Sequence, residues 1–196
     1  GVYGRYTYLT PESDVPETLA STIEQVNERA RADIESRAER FLADNKFAKV
    51  KEGSVSEERY SYRNIYHIVN VTRADSAFFS ILETELETGI GDSKGESLSA
   101  AQTVRFDSYV YETKSGRALQ LADLVNDTDS IRDRIQEALI NKYENEDLDI
   151  SSLEGTPAWT ADYLGVRFYI DGTIIPQEKR WEYGINNNKA LNVENY

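Results

Sequence analysis

A chain of 196 residues is long enough for one sizeable hydrophobic core, or for two small subdomains sharing a sheet. Its 22 basic and 35 acidic residues leave a formal charge of −13, which argues against nucleic-acid binding, because phosphate neutralisation needs clustered Lys and Arg. Cysteine is absent, so disulfides, thiolate catalysis and cysteine–zinc sites are excluded.

No run approaches the roughly 20 apolar residues that span a bilayer, and no signal-peptide pattern is present. The chain starts at Gly1 and holds no methionine, which points to a segment trimmed from a longer product and leaves an upstream leader or membrane anchor open. An acidic surface favours solubility and can steer a basic partner inward. Thirteen tyrosines suit a half-buried sheet, with rings packed and hydroxyls wet.

Residues 2–9 (VYGRYTYL) read as a strand. Pro11 and Pro16 frame a loop, and Pro16 followed by Glu17 suits a helix entrance. From Glu17 to Asn45 the apolar residues Leu19, Ile23, Val26, Ala30, Ile34, Ala38 and Phe41 recur at helical spacing. Glu24, Glu28, Arg31, Glu35, Arg37, Glu39 and Arg40 make its charged outer face, so a long helix packed on a sheet is expected.

After Gly53 the period changes to that of strands. Residues 58–72 and 76–88 form a hairpin around Asp75-Ser76, with Phe79, Ile81 and Leu86 inward and Glu83, Glu85 and Glu87 facing water. Gly89 to Ser99 (GIGDSKGESLS) reads as a long loop; Lys94 is followed by Gly95, so it is no phosphate cradle. Residues 103–112 alternate as a strand. Lys114-Ser115-Gly116 turns, and Leu119, Leu121 and Asp123 lead to a helix carrying Ile131, Ile135, Leu139 and Ile140 to about Tyr143.

Glu144 to Asp149 is an acidic loop. Asp147, Asp149, Ser151 and Glu154 offer oxygen ligands, but the glycine and terminal glutamate of an EF-hand are out of register, so the reading is solvated charge with calcium left open. From Thr160 the chain returns to strand through Tyr163, Val166, Phe168 and Ile170, with a hairpin turn at Asp171-Gly172 before Thr173, Ile174 and Ile175. Trp181 and Tyr183 beside Arg180 are the candidate partner-binding patch, and the tail NNNKALNVENY is polar and ordered only in part.

His67 is the sole histidine. It sits mid-strand without a GxSxG elbow, and HExxH zinc chemistry needs a second histidine, so a structural role is expected. No catalytic, metal or cofactor site is readable. Paired carboxylates acting on cell-wall glycan or peptide form the competing enzymatic reading, which requires a cleft with two acids about 5–10 Å apart, one of raised pKa.

The stretch TVRFDSYVYETKSGRALQLADLV resembles a signature of the extracytoplasmic domain of RsiV-type anti-sigma factors, also found beside the catalytic module of a peptidoglycan deacetylase. Tyr111, Thr113, Ser115-Gly116, Leu119, Leu121, Asp123 and Leu124 carry the match. LGVRFYIDGTIIP resembles the family's later hairpin through Phe168, Tyr169, Asp171, Ile175 and Pro176. The N-terminal strand, helix with Asn27 and strand pair look like the companion domain that precedes it. Members commonly carry GGAHg where this chain has GIGDSKGES, without histidine.

The resemblance implies a cell-surface sensing or binding domain of Gram-positive bacteria, in one case recognising lysozyme, a typically basic protein. The expected fold is α+β, a mainly antiparallel curved sheet with two principal helices packed against it. Residues 1–100 would form a strand–helix–strand–strand part and 101–196 a strand–helix–hairpin part of one compact unit. The expected function is non-enzymatic and extracytoplasmic, with no cofactor, and with a basic protein or a cell-wall component as partner.

Overall fold

The computed structural model describes residues 2–44, 62–93, 96–142, 157–170 and 189–192. The elements run β1 (Val2–Tyr6), α1 (Glu17–Asp44), β2 (Tyr62–Ala74), β3 (Phe78–Ser93), β4 (Glu96–Glu112), a 3₁₀ turn (Leu121–Asp123), α2 (Ile131–Lys142), β5 (Ala158–Ala161), β6 (Val166–Ile170) and β7 (Lys189–Asn192). The class is α+β with two main helices.

α1 follows the apolar stripe read from the sequence. Leu19, Ile23, Val26, Ala30, Ile34 and Phe41 are all buried. They face a four-stranded sheet in the order β1-β2-β3-β4, in which β1 is parallel to β2 and the other pairs are antiparallel. Gly4 makes α1's close approach possible, since a Cβ there would lie 2.5 Å from Ile34 Cγ2. Asn27 pins the chain after β1 by bonding both backbone groups of Leu9, each at 2.8 Å.

The β2–β3 hairpin turns where expected. Asp75 Oδ1 accepts the backbone N–H groups of Ala77 and Phe78 at 2.8 and 2.9 Å, the side chain standing in for a ladder bond. Beyond it the strands run further than expected. β3 continues to Ser93 and β4 begins at Glu96, pairing Gly89 with Ala101 and Gly91 with Ser99. The Gly- and Ser-rich stretch is thus mostly strand. Weak β-propensity does not stop a ladder that the partner strand extends residue by residue. The boundary at residue 100 falls inside β4.

At the far end of β4, Gly116 adopts φ 69° and donates to the Glu112 carbonyl at 2.8 Å. Leu119 N–H then bonds the Val110 carbonyl at 2.7 Å before the chain enters α2. α2 does not share α1's sheet. Ile131, Ile135 and Leu139 pack with Val125, Val166, Phe168 and Ile170 over a second sheet, ordered β5-β6-β7. The expected α+β class with two helices holds, with the strands divided into two sheets that carry one helix each, and the segment expected as strand from Thr160 turns back on itself. Asp162 Oδ1 accepts the N–H groups of Leu164 and Gly165 at 2.7 and 2.8 Å, closing a β5–β6 hairpin.

The second sheet docks on the first through β5. Ser80 Oγ accepts Ala161 N–H at 3.0 Å, Thr72 Oγ1 donates to the Ala161 carbonyl at 3.1 Å, and Trp159 N–H bonds Ser108 Oγ at 2.7 Å. Asp171-Gly172 lies outside the described residues, and β6 is already bonded to β5 on one edge and β7 on the other. β7 forms within the tail read as polar and partly ordered. The Glu144 to Asp149 loop is also outside the described residues.

Candidate functional site

Strand parity decides which side chains meet α1. Phe79 and Ile81 point to the helix, so Glu83, Glu85 and Glu87, two residues apart along β3, share their face. The expectation that these glutamates face water is corrected for Glu83, which is 2% exposed, and for Glu85 and Glu87, which are half-buried. On β2, His67 stands opposite Glu85 and is 2% exposed. α1 brings down Arg29, Asp33 and Arg37, spaced four residues apart on one face. Arg37, assigned to the outer face from sequence, is turned inward, with 9% of its side chain exposed.

These groups form an alternating chain of charge. Arg37 Nη2 contacts Asp33 Oδ2 at 2.5 Å and also donates to the Tyr66 carbonyl at 3.0 Å. Asp33 Oδ2 lies 3.0 Å from His67 Nδ1, and His67 Nε2 lies 3.1 Å from Glu83 Oε2. Arg29 grips Glu83 with two nitrogens, Nε at 3.2 Å and Nη2 closer still, and stacks over the Tyr109 ring at 4.2 Å.

Both imidazole nitrogens face carboxylates, so both must donate, and that requires the imidazolium. Burial alone would lower the His67 pKa. The hydrogen bonds to Asp33 and Glu83 and their negative charges outweigh it and lift the value to about 9. Burial likewise opposes ionisation of Asp33 and Glu83. Hydrogen bonds from His67 and from Arg37 or Arg29 win, so both carboxyls are held below their ordinary range. Glu85 goes the other way, raised by burial and then by the charge of Asp33.

Asp33, His67 and Glu85 each offer one ligand atom within 4.8 Å of the others, the separation a metal ion needs. Two of those three atoms are already engaged: Nδ1 of His67 is given to Asp33, and Arg37 occupies the same Asp33 oxygen. Binding an ion would displace a proton from an imidazole that holds it tightly. The donor set fits a helix clamp better than a metal centre.

Beside β1 and β2, a cavity of about 360 Å³ is lined by Arg5, Tyr6, Thr7, Tyr66, His67, Ile68 and Leu86, and by no carboxylate. A shallower one on α2 is bordered by Asp133 and Glu137, both exposed. Trp181, Tyr183 and Arg180 lie outside the described residues. Sequence reasoning set His67 down as structural and missed its partners. The available signals were the Arg29, Asp33, Arg37 row and the parity of Phe79 through Glu87.

No protein-family model matches the chain, and no curated protein matches it. No helix among the described residues is long and apolar enough to cross a membrane.

Proposed function

We propose that this chain is a non-enzymatic, extracytoplasmic binding or sensing domain of a bacterial envelope protein, with a basic protein of the lysozyme kind as its partner. The observation that carries the reading is the saturation of His67. The one histidine, the residue type most used for acid–base work, has both nitrogens bonded to carboxylates inside the helix–sheet interface. Its chemistry is spent on holding α1 in place. The charge of −13 supports a basic partner through complementarity, and the two motif resemblances support the envelope setting.

Calorimetric titration with a basic lysozyme at low and at moderate salt tests the proposal. Saturable heat that weakens with added salt is expected, as complementary surfaces are screened over a Debye length of about 10 Å at 0.1 M. No heat at either salt concentration removes lysozyme as the partner.

A further inference from the structure

The two ends of α1 are held differently. Its first turn carries Glu17, the favourable sign for a helix N-terminus, whereas its last turn has no basic residue and ends on Asp44. Leu19, Ile23 and Val26 sit in an apolar cluster with Val69, Phe79, Ile81 and Tyr111. From Arg29 onward only Ala30, Ile34 and Phe41 are buried apolar side chains. Besides these three, this second half is joined to β2 and β3 by the chain Arg37–Asp33–His67–Glu83–Arg29.

The charged and titratable groups around His67 come from every neighbouring element. α1 supplies Arg29, Asp33 and Arg37, and β3 supplies Glu83 and Glu85. β1 places Tyr6 beside His67 in register. β4 adds Arg105 opposite Glu85, Asp107 opposite Glu83, and Tyr109 beneath Arg29.

We propose that the second half of α1 is a proton-gated latch: with both His67 nitrogens protonated, the Arg29–Asp44 segment is seated on β2 and β3, and release of one proton to solvent frees it while the Leu19–Val26 half stays seated. A neutral imidazole has one N–H and one lone pair. One of Asp33 and Glu83 would then face that lone pair at about 3 Å, in an interface that shields it from water. The cation between the two carboxylates would also be gone, with Glu85 adjoining.

The seated form binds the proton more tightly than the free form, which sets the direction of the response. Seating is constant below about 6.5, the ordinary histidine value, weakens about tenfold per pH unit up to about 9, and is constant again above that. Asp33 and Glu83 stay ionised throughout this window, since both are held below their ordinary range. Burial raises Tyr109 and Tyr111 above the ordinary tyrosine value of 10.0, so neither titrates in it.

Hydrogen–deuterium exchange between about pH 6 and about pH 9, expressed as protection factors corrected for base-catalysed intrinsic exchange, tests the latch. Peptides covering Arg29–Asp44 are expected to lose protection about tenfold per pH unit between about 7 and 9. Those covering Leu19–Val26 and Ile131–Lys142 should not change. His67→Gln should abolish the slope. Asp33→Asn keeps the imidazole with a single carboxylate and should shorten the sloping range, which serves if the glutamine variant does not fold. Constant protection across Arg29–Asp44, a loss shared equally by Leu19–Val26, or an unchanged slope in either variant would overturn the proposal.

Discussion

The two halves of α1 rest on the same sheet by different physics. The first half buries Leu19, Ile23 and Val26 against Val69, Phe79 and Ile81, a non-directional seat indifferent to pH. The second half buries Ala30, Ile34 and Phe41 and adds Arg29, Asp33 and Arg37 against His67 and Glu83, an ionic seat that depends on geometry and on one proton. An apolar seat loses roughly what is deleted from it. An ionic seat fails when any single member goes, because the remaining partner is left as an uncompensated buried charge.

Glu83→Gln should show the largest effect. It leaves His67⁺ and Arg29 without their shared anion and is expected to destabilise by about 3–5 kcal/mol in denaturant unfolding. Ile23→Ala, in the apolar seat, should cost about 2–5 kcal/mol, with the loss unchanged between pH 6 and pH 9. That flat response set against the pH-dependent loss in Glu83→Gln would separate the two seats. Gly4→Ala is smaller, at about 1–3 kcal/mol, because the new methyl would meet Ile34 Cγ2 at 2.5 Å and either that side chain or the backbone must shift. A thermal melt of that variant as stable as the parent would mean the second half of α1 is not closely packed.

The pH dependence has two arms. His67, whose folded pKa is raised, contributes stability that is complete below about 6.5 and is lost as pH rises toward about 9. Asp33 and Glu83, whose folded pKa values are lowered, contribute stability present above their ordinary values of 3.8 and 4.5 and lost as pH falls through the lowered ones. Glu85, whose folded pKa is raised, adds to the alkaline loss from its ordinary value of 4.5 upward, so maximum stability lies below about pH 6.5.

The helices were legible because a stripe from Leu19 to Phe41 has one periodicity and no rival reading. The β2–β3 hairpin was legible because Asp75 carries its own turn chemistry. The ionic seat was not, since residue type and position disagree there. Glutamates 83, 85 and 87 look like a solvent face by type, and only their even spacing from Phe79 and Ile81 puts them under the helix. The cations that Glu83 meets lie 16 and 54 residues away, so no local pattern joins them. The second sheet was hidden for another reason: β5 is four residues long and its separation from β6 rests on one aspartate turn.

The most direct test of the saturated His67 is its own titration. One histidine gives one set of imidazole resonances, so proton–nitrogen NMR from about pH 5 to about pH 10 reads it without assignment ambiguity. Both ring nitrogens protonated at neutral pH, with a midpoint near 9, is the predicted result. A midpoint at or below about 6.5, or a single neutral tautomer at pH 7, would mean that His67 is free to exchange protons, and the reading of this site as a clamp rather than a reactive centre would be contradicted.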